Sequence, residues 1–172
     1  MKLPPLFDKD NTLVNVVIET PRGSRNKYVY DHEHDFFQLK KILPFGTVFP
    51  FDFGFIPWTL GEDGQPLDIL LLMDDPSFPG CVVKCRCLGV IMAEQTEKRK
   101  KFRNDRIIAV PAESLTYADT HTIGDLSKNV LREFIHFFEY YNSMEGKKFK
   151  FLRLNDARVA MSLIRKHMIK ET

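Results

Sequence analysis

The sequence lacks the features of secreted, membrane-bound and nucleic-acid-binding proteins. No apolar run approaches the ~18–20 residues that a helix needs to cross a bilayer. No apolar stretch follows the amino-terminal segment from Met1 to Pro5, so we expect no signal peptide and a cytoplasmic location. The formal net charge of the 172 residues is only +2, from which we expect no nucleic-acid partner.

Cysteine is also scarce. The three cysteines, Cys81, Cys85 and Cys87, lie within one apolar stretch. An odd number without secretory features is not typical of a disulfide framework. A structural zinc site needs four ligands, and neither a fourth Cys nor a nearby His completes the set. We therefore interpret the three as buried thiols, with Cys85 and Cys87 on one face of a strand.

The first two-thirds of the chain has the pattern of short β-strands. Apolar or alternating segments are separated by turn sequences that contain Gly, Pro or Asp. Strand 27–31 is expected to return along strand 13–19 as its hairpin partner. The full set of expected strands is 13–19, 27–31, 36–39, 67–73, 81–93 and 106–110, with a loop that leads into a bent strand at 49–58.

The last third has the pattern of two helices separated by a strand at 147–154. Apolar residues from Leu126 to Tyr141 recur every three or four positions, which places them on one helix face. Asp125 or Ser127 can cap the start of this helix. Asn155 can cap a second helix, and the residues expected to face inward there are Val159, Leu163 and Met168 or Ile164.

The order of these elements predicts the architecture. Many short strands followed by two helices are typical of a closed or nearly closed barrel with the helices packed outside. No strand–helix–strand alternation is present, so the pattern does not favour a doubly wound parallel sheet. We expect residues 1–172 to form a single domain.

Several polar residues interrupt the apolar elements. Asp68 lies inside an apolar strand pattern, where a bare carboxylate is costly to bury. Either Mg²⁺ or a neighbouring Lys or Arg must pair with it, and spacing favours neither. Glu19 and Lys27 either face one another or form a surface ion pair. The run from Lys98 to Arg103 is an anion-binding patch or, more commonly, a solvated loop.

Five segments, in chain order, resemble the soluble inorganic pyrophosphatases. The third resembles the family signature Asp-Gly-Asp-Pro-x-Asp, and the last resembles the helix that carries His-Phe-Phe-x-x-Tyr-Lys. The segments are Val16 to Pro21 with Asn26-Lys27-Tyr28, Phe49 to Ile56, Asp63 to Asp68, Asn104 to Pro111, and Ile135 to Tyr141. The resemblance implies a mainly β fold with α: a small twisted five-stranded OB-like β-barrel with added hairpin strands and two helices of the C-terminal half packed outside.

The resemblance also implies a reaction. Family members hydrolyse pyrophosphate to two phosphates with three or four Mg²⁺ ions: two metals activate a water, an Asp accepts its proton, and Lys, Arg and Tyr hold the phosphates. Bacterial members are usually hexamers, so a homo-oligomer is expected. By position, the metal ligands are Glu19, Asp63, Asp68 and, through a one-residue shift, Asp105. The catalytic and phosphate-binding residues are Lys27, Lys41, Asp68, Arg106 and Tyr141.

This sequence departs from the family pattern at several site positions. Gln65 replaces the Asp that accepts the proton, and an amide cannot take it. Two positions for metal-binding Asp correspond to Gln95 and Asn104. The other replacements are Val29 for Glu, Phe49 and Phe53 for Tyr, and Asn142 for Lys. We therefore expect fewer Mg²⁺ ions and weak hydrolysis. The alternative is a degenerate homologue that binds pyrophosphate or another phosphate-bearing anion, or one that serves as a structural subunit.

Overall fold

The computed structural model describes residues 2–171. Within them the chain forms nine strands, a short 3-10 helix at Ile123–Asp125 and two α-helices. The helices are α1 (Lys128–Ser143) and α2 (Ala157–Lys166). The strands are β1 (Val14–Thr20), β2 (Asn26–Asp31), β3 (Phe36–Ile42), β4 (Asp52–Phe55), β5 (Asp68–Leu71), β6 (Val82–Glu97), β7 (Lys100–Arg103), β8 (Arg106–Pro111) and β9 (Lys148–Asp156).

Five of the strands close into a ring. The order β1–β4–β5–β8–β6 is completed by pairing between β1 and β6, which confirms the expected five-stranded barrel. β5 and β8 run parallel, with Ile69 opposite Ile107. This register starts the two strands side by side, so Asp68 and Arg106 lie at the same end of the barrel. The 16-residue strand β6 also pairs with β7 and β9.

The prediction that β2 pairs with β1 in a hairpin is wrong. β2 pairs with β3 in a separate two-stranded sheet, in which Lys27 lies opposite Lys41. The reason is that both edges of β1 are already used, by β4 and by β6. β1 instead holds β2 through side chains: Thr20 Oγ1 donates to the Tyr28 carbonyl and accepts from its N–H, both at 3.0 Å.

Two main apolar clusters lie on opposite faces of the sheet. Along β5 the side chains alternate between them: Leu70 belongs to the cluster under α1, whereas Ile69 and Leu71 belong to the cluster under α2. The α2 cluster also contains Cys85 and Cys87, which are buried and free, as predicted. Cys81 is only half-buried, so the prediction is wrong for that residue.

The helix ends differ in detail from the sequence expectations. Ser127 caps α1 by accepting from the Val130 N–H at 3.2 Å. Asp156, not Asn155, caps α2, because β9 continues two residues further than the pattern indicated. The inward positions of α2 are Ala160 and Ile164, whereas Val159 is 37% exposed. No helix within residues 2–171 is long and apolar enough to cross a membrane.

Candidate active site

A cleft opens at the end of the barrel where β5 and β8 begin. It encloses about 130 Å³ and is lined by the 61–68 loop, residues 103–105 before β8 and the end of α2. Asp63 and Asp68 both line it, so the two outer carboxylates of the signature share one cleft, as expected. Desolvation raises the pKa of the Asp63 carboxyl, and the nearby charge of Asp68 adds to that increase.

Arg106 is the partner of Asp68. Its Nη1 atom forms an ion pair with Asp68 Oδ2 and also donates to Asn104 Oδ1. Its guanidinium lies over the Phe138 ring, 5.1 Å from the centroid, and the residue is only 6% exposed. Of the two possibilities that the sequence left open for Asp68, this structure shows the neighbouring cation.

Asn104 and Asp105 both line the cleft, but they make different contacts. Asn104 connects Arg106 to Gln95, donating from Nδ2 to Gln95 Oε1 at 2.8 Å. Asp105 Oδ1 accepts from the Ala93 N–H at 2.9 Å and from Arg103 Nη2 at 2.6 Å. Asn104 is therefore the residue in contact with the Asp68–Arg106 pair, and the Asp105 carboxylate is neutralised by a different arginine.

Glu19 and Lys27 influence each other electrostatically within the protein and do not form an exposed surface ion pair. Glu19 is 8% exposed and accepts from the Tyr30 N–H at 2.8 Å. Burial raises the pKa of Glu19 to about 7, although the Tyr30 hydrogen bond and Lys27 oppose the shift. Burial lowers the pKa of Lys27, while Asp68 and Glu19 act to raise it. Lys27 thus belongs to the same electrostatic group as Asp68.

Lys41 and Tyr141 meet beside Lys27. The Lys41 ammonium lies 3.7 Å from the centroid of the Tyr141 ring, and that of Lys27 lies 5.2 Å from it. Glu145, which the sequence reasoning missed, holds Lys41 through an ion pair of 2.5 Å. Lys147 extends the network to Glu145 at 3.2 Å. Glu145 follows the end of α1, and no pattern in the sequence connects it with β3.

The replaced aromatic positions are part of the core. Phe49 and Phe53 are 1% and 4% exposed and belong to the apolar cluster under α1. Phe49 packs against Tyr141 with ring centroids 5.8 Å apart. Phe49 and Phe53 therefore form an apolar support for Tyr141. Neither ring carries a hydroxyl group that can reach a phosphate.

Three other replaced positions contribute no charge to the cleft. Gln65 is exposed in the 61–68 loop, and Val29 is half-buried on β2. Asn142 is buried, and its Nδ2 atom donates to the Phe138 carbonyl of its own helix at 2.8 Å. This hydrogen bond holds the short Asn142 side chain against α1.

The basic run 98–103 forms the turn and the second strand of the β6–β7 hairpin and is not an irregular loop. Lys98 and Arg99 form the turn between β6 and β7, with left-handed φ values of 46° and 67°. Lys101 forms an ion pair with Glu94 at 2.6 Å. Arg103 lines the cleft, which the sequence reasoning did not identify. Arg103 is half-buried, whereas Lys100 and Lys101 are exposed.

Carboxylates and neutral amides stand at the positions that the resemblance assigns to metal ligands. Among residues 2–171 no three His, Cys, Asp or Glu side chains are grouped to hold a metal ion. Asp68 and Asp105 are each held by an arginine, and Gln95 and Asn104 are neutral. Mg²⁺ usually takes one or two protein carboxylates. Asp63 and Asp68 are residues of the cleft that carry the oxygen ligands Mg²⁺ takes.

Comparison with known proteins identifies the family. A family model described as inorganic pyrophosphatase matches residues 16–171. The chain is 39% identical over 168 residues to the inorganic pyrophosphatase of Thermus thermophilus, covering 96% of this chain and 94% of that protein. It is also 39% identical over 153 residues to that of Halalkalibacterium halodurans, covering 88% and 91%.

Solved structures agree. The crystal structure of the Thermus thermophilus inorganic pyrophosphatase matches with a TM-score of 0.86 and 38% identity, over 95% of this chain and 94% of that one. The inorganic pyrophosphatase of Helicobacter pylori matches with a TM-score of 0.86 and 32% identity, over 97% and 96%. With the barrel, the shared cleft of Asp63 and Asp68, and these similarities, the chain belongs to the inorganic pyrophosphatase family.

Proposed function

We propose that the protein binds pyrophosphate in the cleft and hydrolyses it to two phosphates with Mg²⁺, at a low rate. The observation that carries this proposal is convergence: Lys27, Lys41, Arg106 and Tyr141 lie near Asp68 at one end of the barrel. Asp63 and Asp68 supply oxygen ligands for Mg²⁺ in the same cleft. Family membership supports the choice of substrate.

The phosphates are held by basic side chains that lie beside the cleft, near Asp68. Lys27 and Lys41 lie opposite one another on β2 and β3, and Tyr141 lies beside both. A hydrogen bond to a charged group contributes about 1.5–3 kcal/mol. Arg106 presents a planar fork, which matches phosphate oxygens better than the point charge of a lysine. These groups hold the anion beside the carboxylates that would bind Mg²⁺.

The low rate follows from the loss of the proton acceptor. Mg²⁺ in such a site lowers the pKa of a bound water and offsets negative charge on the phosphates. The remaining task for the protein is to accept a proton, and Gln65 cannot do so. Loss of a general base typically reduces a rate by about 10²–10⁴-fold. Asp105, the fourth expected metal ligand, is available only after Arg103 moves away from it.

Phosphate release from pyrophosphate in the presence of Mg²⁺ tests the proposal. We expect measurable release by the wild-type protein and a loss of at least about 100-fold in Asp68→Asn, which keeps the shape but removes the charge. Asp75→Asn, a change at an exposed position outside the cleft, is the control and should leave the rate unchanged. Equal rates in wild type and Asp68→Asn would disprove the role of the cleft.

A second candidate function is anion binding without hydrolysis. Gln65 and the pairing of Asp68 with Arg106 favour it, because both reduce the chemical capacity of the cleft while the basic side remains. Calorimetric titration with pyrophosphate distinguishes the two. Binding without phosphate release supports the second function, and absence of both leaves a structural subunit.

The oligomeric state and the cellular location of the protein stay predictions. We propose a homo-oligomer, a hexamer by resemblance, located in the cytoplasm. Light scattering on the purified protein measures the assembly: a mass of six chains would support the proposal, and a mass of one chain would contradict it.

A further inference from the structure

Two of the carboxylates that line the cleft form ion pairs with arginines. Arg106 forms an ion pair with Asp68, and Arg103 forms one with Asp105 at 2.6 Å. The Asp105 side chain is 6% exposed and the Asp68 side chain 23% exposed, so both carboxylates are largely shielded from water. In this arrangement the negative charges of Asp68 and Asp105, which would attract a divalent cation, are already balanced.

A cation that binds Asp68 must displace a guanidinium that has little freedom to move. Arg106 is 6% exposed, lies over Phe138 and shares its Nη1 between Asp68 and Asn104. Removal of one member of a buried ion pair leaves the other charge without compensation, which is strongly unfavourable. A divalent cation alone therefore competes poorly for Asp68.

The same arginines have unused donors. The Nε atoms of Arg103 and Arg106 are buried and have no hydrogen-bond partner among residues 2–171. A buried donor without an acceptor is destabilising, so an anionic oxygen that reaches it is favoured. Phosphate oxygens are such acceptors, and a pyrophosphate anion offers the arginines an alternative to the carboxylates.

We propose that Arg106 and Arg103 are the resident counter-cations of Asp68 and Asp105, so that the cleft takes up a divalent cation only together with a pyrophosphate-class anion. The anion draws the guanidinium groups towards its own oxygens and releases the carboxylates for the cation. This inference rests on the proposed function only for the identity of the anion; the competition between Arg106 and a cation at Asp68 is independent of hydrolysis.

Binding of Mn²⁺, measured by calorimetry and by electron paramagnetic resonance, tests the proposal. The wild-type protein is titrated with and without methylenediphosphonate, an analogue of pyrophosphate that cannot be hydrolysed. We expect Mn²⁺ to bind at least about tenfold more tightly when the analogue is present. In the absence of the analogue, Arg106→Gln should bind Mn²⁺ at least about tenfold more tightly than wild type, because the competing charge is gone.

Arg132→Gln is the matched control, since it removes the same charge from an exposed position on α1. It should bind Mn²⁺ as the wild type does. If Arg106→Gln does not unfold cooperatively, Arg106→Lys replaces it: lysine keeps the charge but cannot hold Asp68 and Asn104 as a planar fork does, so its Mn²⁺ affinity should also exceed that of wild type. Mn²⁺ binding by free wild type that is as tight as with the analogue, or as tight as in the Arg106 variants, overturns the proposal.

The two proposals fail in different ways. Phosphate release by a protein that binds Mn²⁺ tightly on its own would retain the proposed function and reject the counter-cation role. Tighter Mn²⁺ binding by the Arg106 variant, without any phosphate release, would retain the counter-cation role and reject hydrolysis.

Discussion

Single residues determine how the cleft differs from the family pattern. The sequence predicted that Asp68 needs a partner, because a carboxylate interrupts an apolar strand. It could not predict that the partner is Arg106, since ion pairing depends on the parallel register of β5 and β8. It also could not separate Asn104 from Asp105, because a shift of one residue in a strand reverses the side that a residue faces.

Gln65→Asp tests whether only the proton acceptor is missing. The change restores a carboxylate in the middle of the signature, and we expect phosphate release to rise by about 10²–10⁴-fold. Gln65→Asn shortens the side chain without adding charge and should produce no gain. If Gln65→Asp also gives no gain, the metal ligands limit the reaction and the acceptor does not.

Glu19 makes stability depend on pH. Its pKa is raised from 4.5 to about 7 in the folded protein, so between these values the folded state binds more protons than the unfolded state. The free energy of unfolding therefore falls as pH rises through this window. The full penalty, on the order of 3 kcal/mol, is present above pH 7 and absent below pH 4.5.

Glu19→Gln should remove this dependence. The amide oxygen can still accept from the Tyr30 N–H but does not ionise. In urea unfolding without metal, we expect the variant to be more stable than wild type at about pH 8 and similar to it at about pH 5. Glu133→Gln, an exposed change on α1, should give no pH-dependent difference. The same stability difference at both pH values would show that the Glu19 charge is not the cause.

At the scale of elements, the sequence predicted most strands but not all their partners. Alternation and turn residues located β1 and β2, yet the pairing of β2 with β3 depends on which edges of β1 remain free. β9 ends two residues later than expected, and the cap of α2 shifts by one residue because the strand continues into the cap. Local pattern determines the elements, and competition for edges determines their pairing.

Asp52 joins two turns to the barrel. The carboxylate, fully buried on β4, accepts from the Arg22 N–H and from the Ser77 N–H, each at 2.8 Å. Asp52→Ala leaves two backbone donors without partners, and each unsatisfied donor costs about 1–3 kcal/mol. We expect the free energy of unfolding to fall by about 2–4 kcal/mol in urea denaturation.

Asp75→Ala is the control for this change, because Asp75 is exposed. It should alter stability by less than about 0.5 kcal/mol. A loss in Asp52→Ala no greater than in this control would show that the two turns are held by other contacts.

At the scale of the whole molecule, the barrel couples the two apolar clusters. Side chains on β5, β6 and β8 alternate between the cluster under α1 and the cluster under α2. Loss of packing in either cluster therefore also disrupts the strands that the two clusters share. The sequence predicted the ring from many short strands, and family resemblance supplied the number of five. The central role of β6, which pairs with four other strands, became visible only in the structure.

The single domain predicted for residues 1–172 should therefore unfold in one step. We expect the transitions followed by far-ultraviolet circular dichroism and by Trp58 fluorescence to coincide in denaturant. Trp58 packs against the cluster under α2, whereas circular dichroism reports on all elements. Separate midpoints would show that the two halves of the core unfold independently.

The β6–β7 hairpin carries a practical consequence. Arg106 is placed by its neighbours in β8 and β5, not by the length of the chain that precedes it, and the Lys98–Arg99 turn projects into solvent. Loop tips of this kind tolerate added sequence. A short peptide tag that captures the protein on a sensor surface can be inserted between these two residues, and the ligand pocket then stays open to the flowing solution.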